Sequence, residues 1–152
     1  MKFMTTSRGF TLIELLVVIA IIGTMATFVL MMLTGPQKSA RDGKRKSDME
    51  TIRSGLELYK SDCGQYPASL PSVGSALVGT SAVAGAACSS SNRYIKAMPA
   101  DPTAGRNYSY SRQTTQTYTL CAALERNSTA VACGGAAASS CGASCTYAIT
   151  NP

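Results

Sequence analysis

Residues 8–20 read RGFTLIELLVVIA, and they open an apolar run that continues to Leu33. The 24 residues from Phe10 to Leu33 contain a single charged side chain, that of Glu14. A helix of this length is about 36 Å long, at about 1.5 Å per residue, which exceeds the roughly 30 Å of a bilayer's hydrocarbon core. The run therefore predicts a transmembrane helix and excludes a simple soluble globular protein.

The charges that flank the run predict its orientation. Lys2 and Arg8 precede it and no acidic residue does, which favours a cytoplasmic amino terminus. A cleaved secretory signal usually has an apolar core of only about 7–15 residues, so this run is too long for one. Hydropathy alone predicts a single-pass anchor of the cytoplasmic membrane whose carboxyl-terminal part lies outside.

The amino-acid composition excludes several classes of enzyme and metal site. The chain has 152 residues, 14 Lys plus Arg, 8 Asp plus Glu, and no His. The absence of His excludes Ser-His and Cys-His catalysis and imidazole metal ligands. No convergent pair of acids is evident either, so we expect no enzyme activity, no metal and no cofactor.

All cysteines follow residue 62, beyond the apolar run, and their number is even. This distribution predicts disulfides in an oxidising compartment. A thiolate metal site is the alternative, but the sequence contains no C-x-x-C pair. Six cysteines allow 15 pairings, and nearness in sequence favours Cys121–Cys133, Cys141–Cys145 and Cys63–Cys88.

Glu14 has two ordinary explanations when it is considered alone. It lies about one turn into the apolar helix, where a carboxylate can extend to the membrane interface. Thr11 and Glu14 also match the [ST]-x-x-[DE] capping box of a helix start. The residues around Glu14 add a third explanation.

The 8–20 stretch closely resembles the leader and amino terminus of type IV prepilins and pseudopilins. The resemblance implies that a membrane-bound prepilin peptidase cuts after Gly9 and that the new terminal residue, Phe10, is N-methylated. It also implies that Glu14 pairs with the terminal ammonium of a neighbouring subunit. Such a pair offsets the cost of burying either charge in a filament core and can set the axial register of the subunits.

A second region is similar to the type II secretion major pseudopilin and to related short-headed pilins. The similar segments are Leu56–Lys60, Gly64–Pro67, Tyr94-Ile95 with Met98–Pro102, and Tyr108–Tyr110. The resemblance is good over 8–34, fair over 49–124 and absent after Leu124. Pseudopilins of this type bind calcium through acids in a carboxyl-terminal loop, whereas here Glu125 is the only acid after Asp101. This difference favours a surface pilus subunit, closed by disulfides in place of calcium.

The apolar run is followed by a second helix, predicted over 37–62. Thr34-Gly35-Pro36 predicts a kink or local break before it, and Gly64 predicts its end. A stripe of Met49, Ile52, Leu56 and Tyr59 recurs at helical spacing and predicts the face that packs on a sheet.

The basic cluster Lys38, Arg41, Lys44, Arg45 and Lys46 near the start of this helix is compatible with nucleic-acid binding. A solvated helical face, or pairing with acids of neighbouring subunits, is the simpler interpretation.

Beyond the second helix, residues 68–92 predict a long loop with a short helix near Ser72–Val78. Strands are predicted over Asn107–Arg112, Thr117–Leu124 and Thr146–Thr150, with a loop over Ser128–Ala143. The predicted fold is α+β and type IV pilin-like: a long amino-terminal helix packed on a small antiparallel sheet with disulfide-closed loops. The predicted divisions are a leader (1–9), a transmembrane and assembly helix (10–34), a neck and amphipathic helix (35–63) and a head (64–152).

These features predict a structural subunit of a type IV pilus-like filament that serves attachment, twitching motility or DNA uptake. The expected partners are further copies of the chain, other pilins, the prepilin peptidase and an inner-membrane assembly platform. The subunit is expected in the cytoplasmic membrane first, and then in a surface or periplasmic filament. One alternative is a pseudopilin of a type II secretion or competence machine, and another is an uncleaved, membrane-anchored binding protein.

Overall fold

The computed structural model of the chain describes residues 9–32, 34–80, 88–135 and 140–151. The chain divides into two compact units, Met1–Gln37 and Lys38–Pro152, and the division falls inside the second helix. Most of the predicted leader, residues 1–8, lies outside the described residues.

Helix α1 is Leu12–Met32, and its 21 residues would extend about 31 Å at about 1.5 Å per residue. The helical stretch that begins at Leu12 is long and apolar enough to cross a membrane by length and composition. Its large apolar side chains are exposed, with Leu12 at 81% and Phe28 at 68%. An apolar helix with exposed side chains matches the predicted transmembrane segment.

Helix α2 is Thr34–Cys63. The predicted break at 34–36 is adjacent to Leu33, which lies outside the described residues, while Gly35 and Pro36 themselves are helical. The predicted break is therefore not seen at Thr34, Gly35 or Pro36, which are all helical. The end of α2 is as predicted, since Gly64 adopts a left-handed φ of 72° and donates its N–H to the carbonyl of Lys60 at 2.8 Å.

The inner face of α2 forms one side of the main core. Met49, Ile52, Leu56 and Tyr59 are at most 2% exposed, which confirms the predicted stripe. They belong to one cluster with buried residues of the sheet, among them Leu120. The spacing of the apolar residues therefore determines which face of α2 is covered.

The remaining elements are five short strands in two antiparallel sheets. The strands are β1 (Leu77–Val78), β2 (Arg93–Ile95), β3 (Ser109–Thr114), β4 (Thr117–Ala122) and β5 (Tyr147–Thr150). One sheet pairs β1 with β2, and the other has the order β3-β4-β5. The three strands of the larger sheet were predicted, although β3 begins two residues later than expected and β4 ends two residues earlier. The α+β, pilin-like architecture is confirmed.

The predicted helix near Ser72–Val78 is wrong. Gly74 adopts a φ of 81°, which is incompatible with a helix, and its N–H donates to the carbonyl of Met98 at 2.9 Å. Leu77 then pairs with Ile95 in the small sheet, which sequence reasoning missed because two- and three-residue strands carry no measurable period. Residues 81–87 and 136–139, within two predicted loops, lie outside the described residues.

The small sheet packs closely on α2. A Cβ atom at Gly55 would overlap the side chain of Ile95, and Ile95 is itself 5% exposed. Gly55 is therefore the residue that allows β2 to approach the helix, since any larger side chain would displace that strand.

Candidate functional site

The predicted cleavage position lies just before α1. Gly9, Phe10 and Thr11 are not helical, and Phe10 is 87% exposed. Among the described residues other than its chain neighbours, no heavy atom lies within 4 Å of the position that a Cβ on Gly9 would take. Gly9 and Phe10 are both exposed, so the bond between them is accessible in this structure.

Glu14 and Thr11 form a reciprocal cap at the start of α1. The N–H and the hydroxyl of Thr11 donate to Oε2 of Glu14, at 2.9 and 2.8 Å. The N–H of Glu14 donates in return to Oγ1 of Thr11 at 3.3 Å. The capping explanation for Glu14 therefore applies to the single chain. It does not exclude a role in assembly, because among the described residues Oε1 accepts no hydrogen bond.

The predicted basic cluster is largely neutralised inside the chain. Arg41 forms a bidentate pair with Glu125, at 2.7 and 2.6 Å. Lys44 lies 3.1 Å from the carboxylate of Asp48, and Arg45 is completely buried. Three of the five cations thus have carboxylate partners, so the structure does not bring the cluster together as a free surface for nucleic acid.

Arg45 lies at the centre of an ionic cluster that we call the Arg45 cluster, comprising Arg41, Asp42, Arg45, Asp101, Thr103 and Glu125. Its guanidinium donates to both oxygens of Asp101, at 2.8 and 2.9 Å. It also donates to Asp42 at 2.8 Å and to Glu125 at 3.0 Å. The loop near residue 101 and the segment after β4 are thereby attached to the first half of α2.

The electrostatics of the Arg45 cluster favour its charged state. Hydrogen bonds from Arg41 and then Arg45 lower the pKa of Glu125 to about 2, against the opposing effect of burial. Burial raises the pKa of Asp42, but hydrogen bonds from the N–H groups of Glu125 and Arg126 and from Arg45 outweigh it, so the net shift is downward. Hydrogen bonds to Asp101 are the largest cause of the raised pKa of Arg45. Glu125 and Asp42 therefore remain ionised well below neutral pH.

Sequence reasoning missed the Arg45 cluster, although one signal was present. Asp101 and Glu125 are the only acids after Asp62 in the chain, and both bond to Arg45. Acids this sparse, in a segment that follows a helix with five cations in nine residues, indicate specific pairing more than general solvation.

The cysteines form three disulfides: Cys63–Cys88, Cys121–Cys133 and Cys141–Cys145. These are the pairs that nearness in sequence favoured. All six are at most 3% exposed, and the last four form a second small core with Ala123. Among the described residues, no group of three or more His, Cys, Asp or Glu side chains is arranged to hold a metal ion.

Two protein-family models match the chain. The model of the prokaryotic N-terminal methylation motif matches residues 4–30, which include Gly9, Phe10 and Glu14. The model described as "Type II secretion system (T2SS), protein G" matches residues 32–129. The chain belongs to the type II secretion system protein G family.

Individual relatives agree with the family match. The type II secretion system core protein G of Escherichia coli (strain K12) is 36% identical over 102 residues, which cover 67% of this chain and 70% of that protein. The core protein G of Vibrio cholerae serotype O1 is 34% identical over 110 residues, covering 72% and 74%. That of Pseudomonas aeruginosa is 29% identical over 102 residues, covering 67% and 71%. No solved structure matches the chain significantly.

Proposed function

We propose that the chain is a non-catalytic subunit of a pilus-like filament, made as a precursor that is cleaved after Gly9 and N-methylated at Phe10. Within this class we propose a subunit of a pseudopilus of the type II secretion kind, which was the alternative to a surface pilus in the prediction from sequence. The observation that carries the proposal is the combination of both family matches with an exposed Gly9–Phe10 bond directly before an uncovered apolar helix.

Two costs determine the proposed assembly. Apolar surface is unfavourable when it is exposed to water, and a charged group is unfavourable when it is buried without a partner. Before assembly, α1 would lie in the cytoplasmic membrane with the head outside. In the filament, the α1 helices of neighbouring copies would cover one another, since the large apolar side chains of α1 are exposed among the described residues. Glu14 of one subunit would pair with the Phe10 ammonium of the next, and this pair would set the register.

A surface pilus is the second candidate, and one observation favours it. The carboxyl-terminal part is closed by two disulfides, and the cluster that attaches it to α2 contains arginine where a calcium site would need several carboxylates. Electron microscopy of producing cells separates the candidates, because a long surface fibre indicates a pilus and a short periplasmic rod indicates a pseudopilus.

The test of the proposal is the replacement Glu14→Val. Cleavage after Gly9 should continue, since the leader and the Gly9–Phe10 junction are unchanged, and the processed subunit should accumulate in the membrane. Filament assembly should fail, because an unpaired buried ammonium costs about 3–5 kcal/mol at every subunit. Intact mass reports cleavage and methylation, and sedimentation of sheared filaments reports assembly.

Matched variants separate the charge of Glu14 from its role as a cap. Glu14→Gln keeps a capping side chain and removes the charge, whereas Thr11→Ala removes the cap and keeps the charge. We expect the first to stop assembly and the second to permit it. Glu50→Val, at an exposed acid of α2, is the general control. Normal assembly by both Glu14 variants would contradict the proposed role of Glu14 in setting register.

A further inference from the structure

An open cleft of about 500 Å³ lies beside the first turns of the α2 segment of the head unit. We call it the basal cleft, and its relevant lining residues are Ser39, Asp42, Lys46, Arg126, Asn127 and Tyr147. Lys46 comes from α2, Arg126 and Asn127 from the segment after β4, and Tyr147 from the start of β5. Three parts of the chain therefore meet around it.

Two cations of the basal cleft have no carboxylate of their own. The ammonium of Lys46 lies 5.5 Å from the centre of the Tyr147 ring, and Arg126 donates one N–H to the hydroxyl of Ser39 at 3.3 Å. Neither forms an ion pair with a described residue, in contrast to Arg41, Lys44 and Arg45.

The one acid of the basal cleft does not compensate these cations. Asp42 accepts hydrogen bonds from the guanidinium of Arg45 and from the N–H groups of Glu125 and Arg126. The Arg45 cluster has three carboxylates and two guanidinium groups, so it contributes one net negative charge beside two free cations. The basal cleft therefore keeps a positive excess.

The anion that fits the basal cleft does not come from a second copy of the chain. Lys2, Arg8 and Glu14 precede residue 38, which leaves 12 of the 14 cations and 7 of the 8 acids in Lys38–Pro152. Six of these seven carboxylates accept hydrogen bonds of 3.2 Å or less within the chain. Glu50, which is paired only at 3.8 Å with Arg53, is the exception. A neighbouring head thus offers little negative charge to Lys46 and Arg126.

We propose that the basal cleft binds a phosphate group, either the headgroup of an anionic lipid or a small soluble phosphate ester. A tetrahedral phosphate accepts hydrogen bonds from several directions, which suits an ammonium and a guanidinium that project from different segments. Tyr147 supplies an aromatic wall for the glycerol or other carbon part of the ligand. Lys46 follows the end of α1 by 14 residues along the chain, so a lipid headgroup is one of the two sources to be tested.

Phosphate binding goes beyond the proposed function and does not depend on filament assembly. The test uses the full chain in a neutral maltoside detergent. One arm titrates glycerol phosphate and measures binding by calorimetry. The other adds phosphatidylglycerol or phosphatidylcholine and counts the lipids retained by native mass spectrometry.

We expect Lys46→Gln and Arg126→Gln each to weaken binding of the ligand about tenfold, the size associated with one charged hydrogen-bond donor. Lys46→Arg should restore most of it. Lys96→Gln, which removes an exposed cation outside the basal cleft, is the matched control and should bind like wild type. A melting temperature within a few degrees of wild type shows that each variant is folded.

The possible results distinguish a lipid headgroup from a soluble phosphate ester, and two of them would overturn the proposal. Retention of phosphatidylglycerol without binding of glycerol phosphate assigns the basal cleft to a lipid headgroup, and the reverse assigns it to a soluble ester. Equal binding by wild type and the Lys46→Gln/Arg126→Gln double variant in both arms overturns the proposal. So does binding of duplex DNA in place of either phosphate ligand, which would assign these cations to a nucleic-acid surface.

Discussion

Replacing Arg45 by Met tests whether the Arg45 cluster determines the stability of the head. The substitution keeps a long side chain and removes the guanidinium from a fully buried position. Asp101, whose side chain is completely buried, then loses both of its hydrogen bonds to Arg45, and Asp42 and Glu125 lose one each. Breaking a buried ion pair from one side costs about 3–5 kcal/mol. For a head of this size that corresponds to a drop in melting temperature of roughly 10–20 °C.

The assay is thermal unfolding of the full chain in detergent, followed by near-ultraviolet circular dichroism of its tyrosines. Lys44→Met is the matched control on the same helix. Its pair with Asp48 joins neighbouring turns and is largely exposed on the lysine side. Such a pair is worth about 0.3–0.5 kcal/mol, so this variant should melt within a few degrees of wild type. If Arg45→Met melts as high as Lys44→Met, the Arg45 cluster does not contribute as argued.

The pH dependence of the stability of Arg45→Met tests independently whether charge is responsible for its deficit. The folded pKa of Glu125 is about 2 and that of Asp42 is also lowered, so both bind protons more weakly in the folded chain than in the unfolded one. Their contribution is fully present above about pH 5 and is lost as the pH falls toward 2. Arg45→Met removes the cation that bonds to Asp42 and one of the two that bond to Glu125, which keeps its pair with Arg41. The deficit in stability should therefore be largest at neutral pH, where Asp42 is ionised, and should shrink toward pH 3. A deficit that is constant with pH would mean that lost packing, and not charge, is responsible.

Three further expectations concern the head. Gly55→Ala should destabilise the head by about 1–3 kcal/mol in chemical unfolding, because the added Cβ overlaps Ile95. Gly43 is an open position on α2, so Gly43→Ala should be neutral or slightly stabilising. Alkylation of the exported protein without prior reduction should label no cysteine, and labelling of two or more would contradict the disulfide set. Adding a calcium chelator should leave the melting temperature unchanged, since Glu125 is the only acid after Asp101 and is occupied by arginines; a large decrease would reveal a bound cation.

The parts of the fold that the sequence predicts well are those with a strong local period or a strong local signal. The apolar run, the stripe from Met49 to Tyr59 and the stop at Gly64 each depend on neighbouring residues alone. The strands of the larger sheet were located to within two residues at each end because aromatic and β-branched residues cluster in them. The small sheet was missed because β1 has only two residues, and its pairing with β2 depends on the contact with Gly55.

The candidate sites show the same division. The motif around Gly9 and Glu14 is contiguous, so the sequence displays it directly. The Arg45 cluster joins residues separated by up to 84 positions, and the sequence suggested a basic surface where the folded chain has ion pairs. Local charge counts overestimate a basic surface whenever distant acids fold back onto it, and here Asp101 and Glu125 do so.

Two of the attachments of the head join other segments to α2, one near each end of the part of α2 that the head contains. Cys63 attaches the segment at Cys88 to the last residue of α2, while Arg45, 18 residues earlier, attaches the loop at Asp101 and the segment at Glu125. Along a helix those 18 residues span about 27 Å, so the two attachments do not overlap. One is covalent and sensitive to reductant, and the other is ionic and sensitive to acid. Reductant should therefore release the segment at Cys88 while leaving the Arg45 cluster in place, and acid should do the opposite. Acid should leave the larger sheet in place, because its ladder hydrogen bonds and the stripe from Met49 to Tyr59 do not depend on the Arg45 cluster. Reductant, in contrast, also opens Cys121–Cys133, which attaches β4 of that sheet.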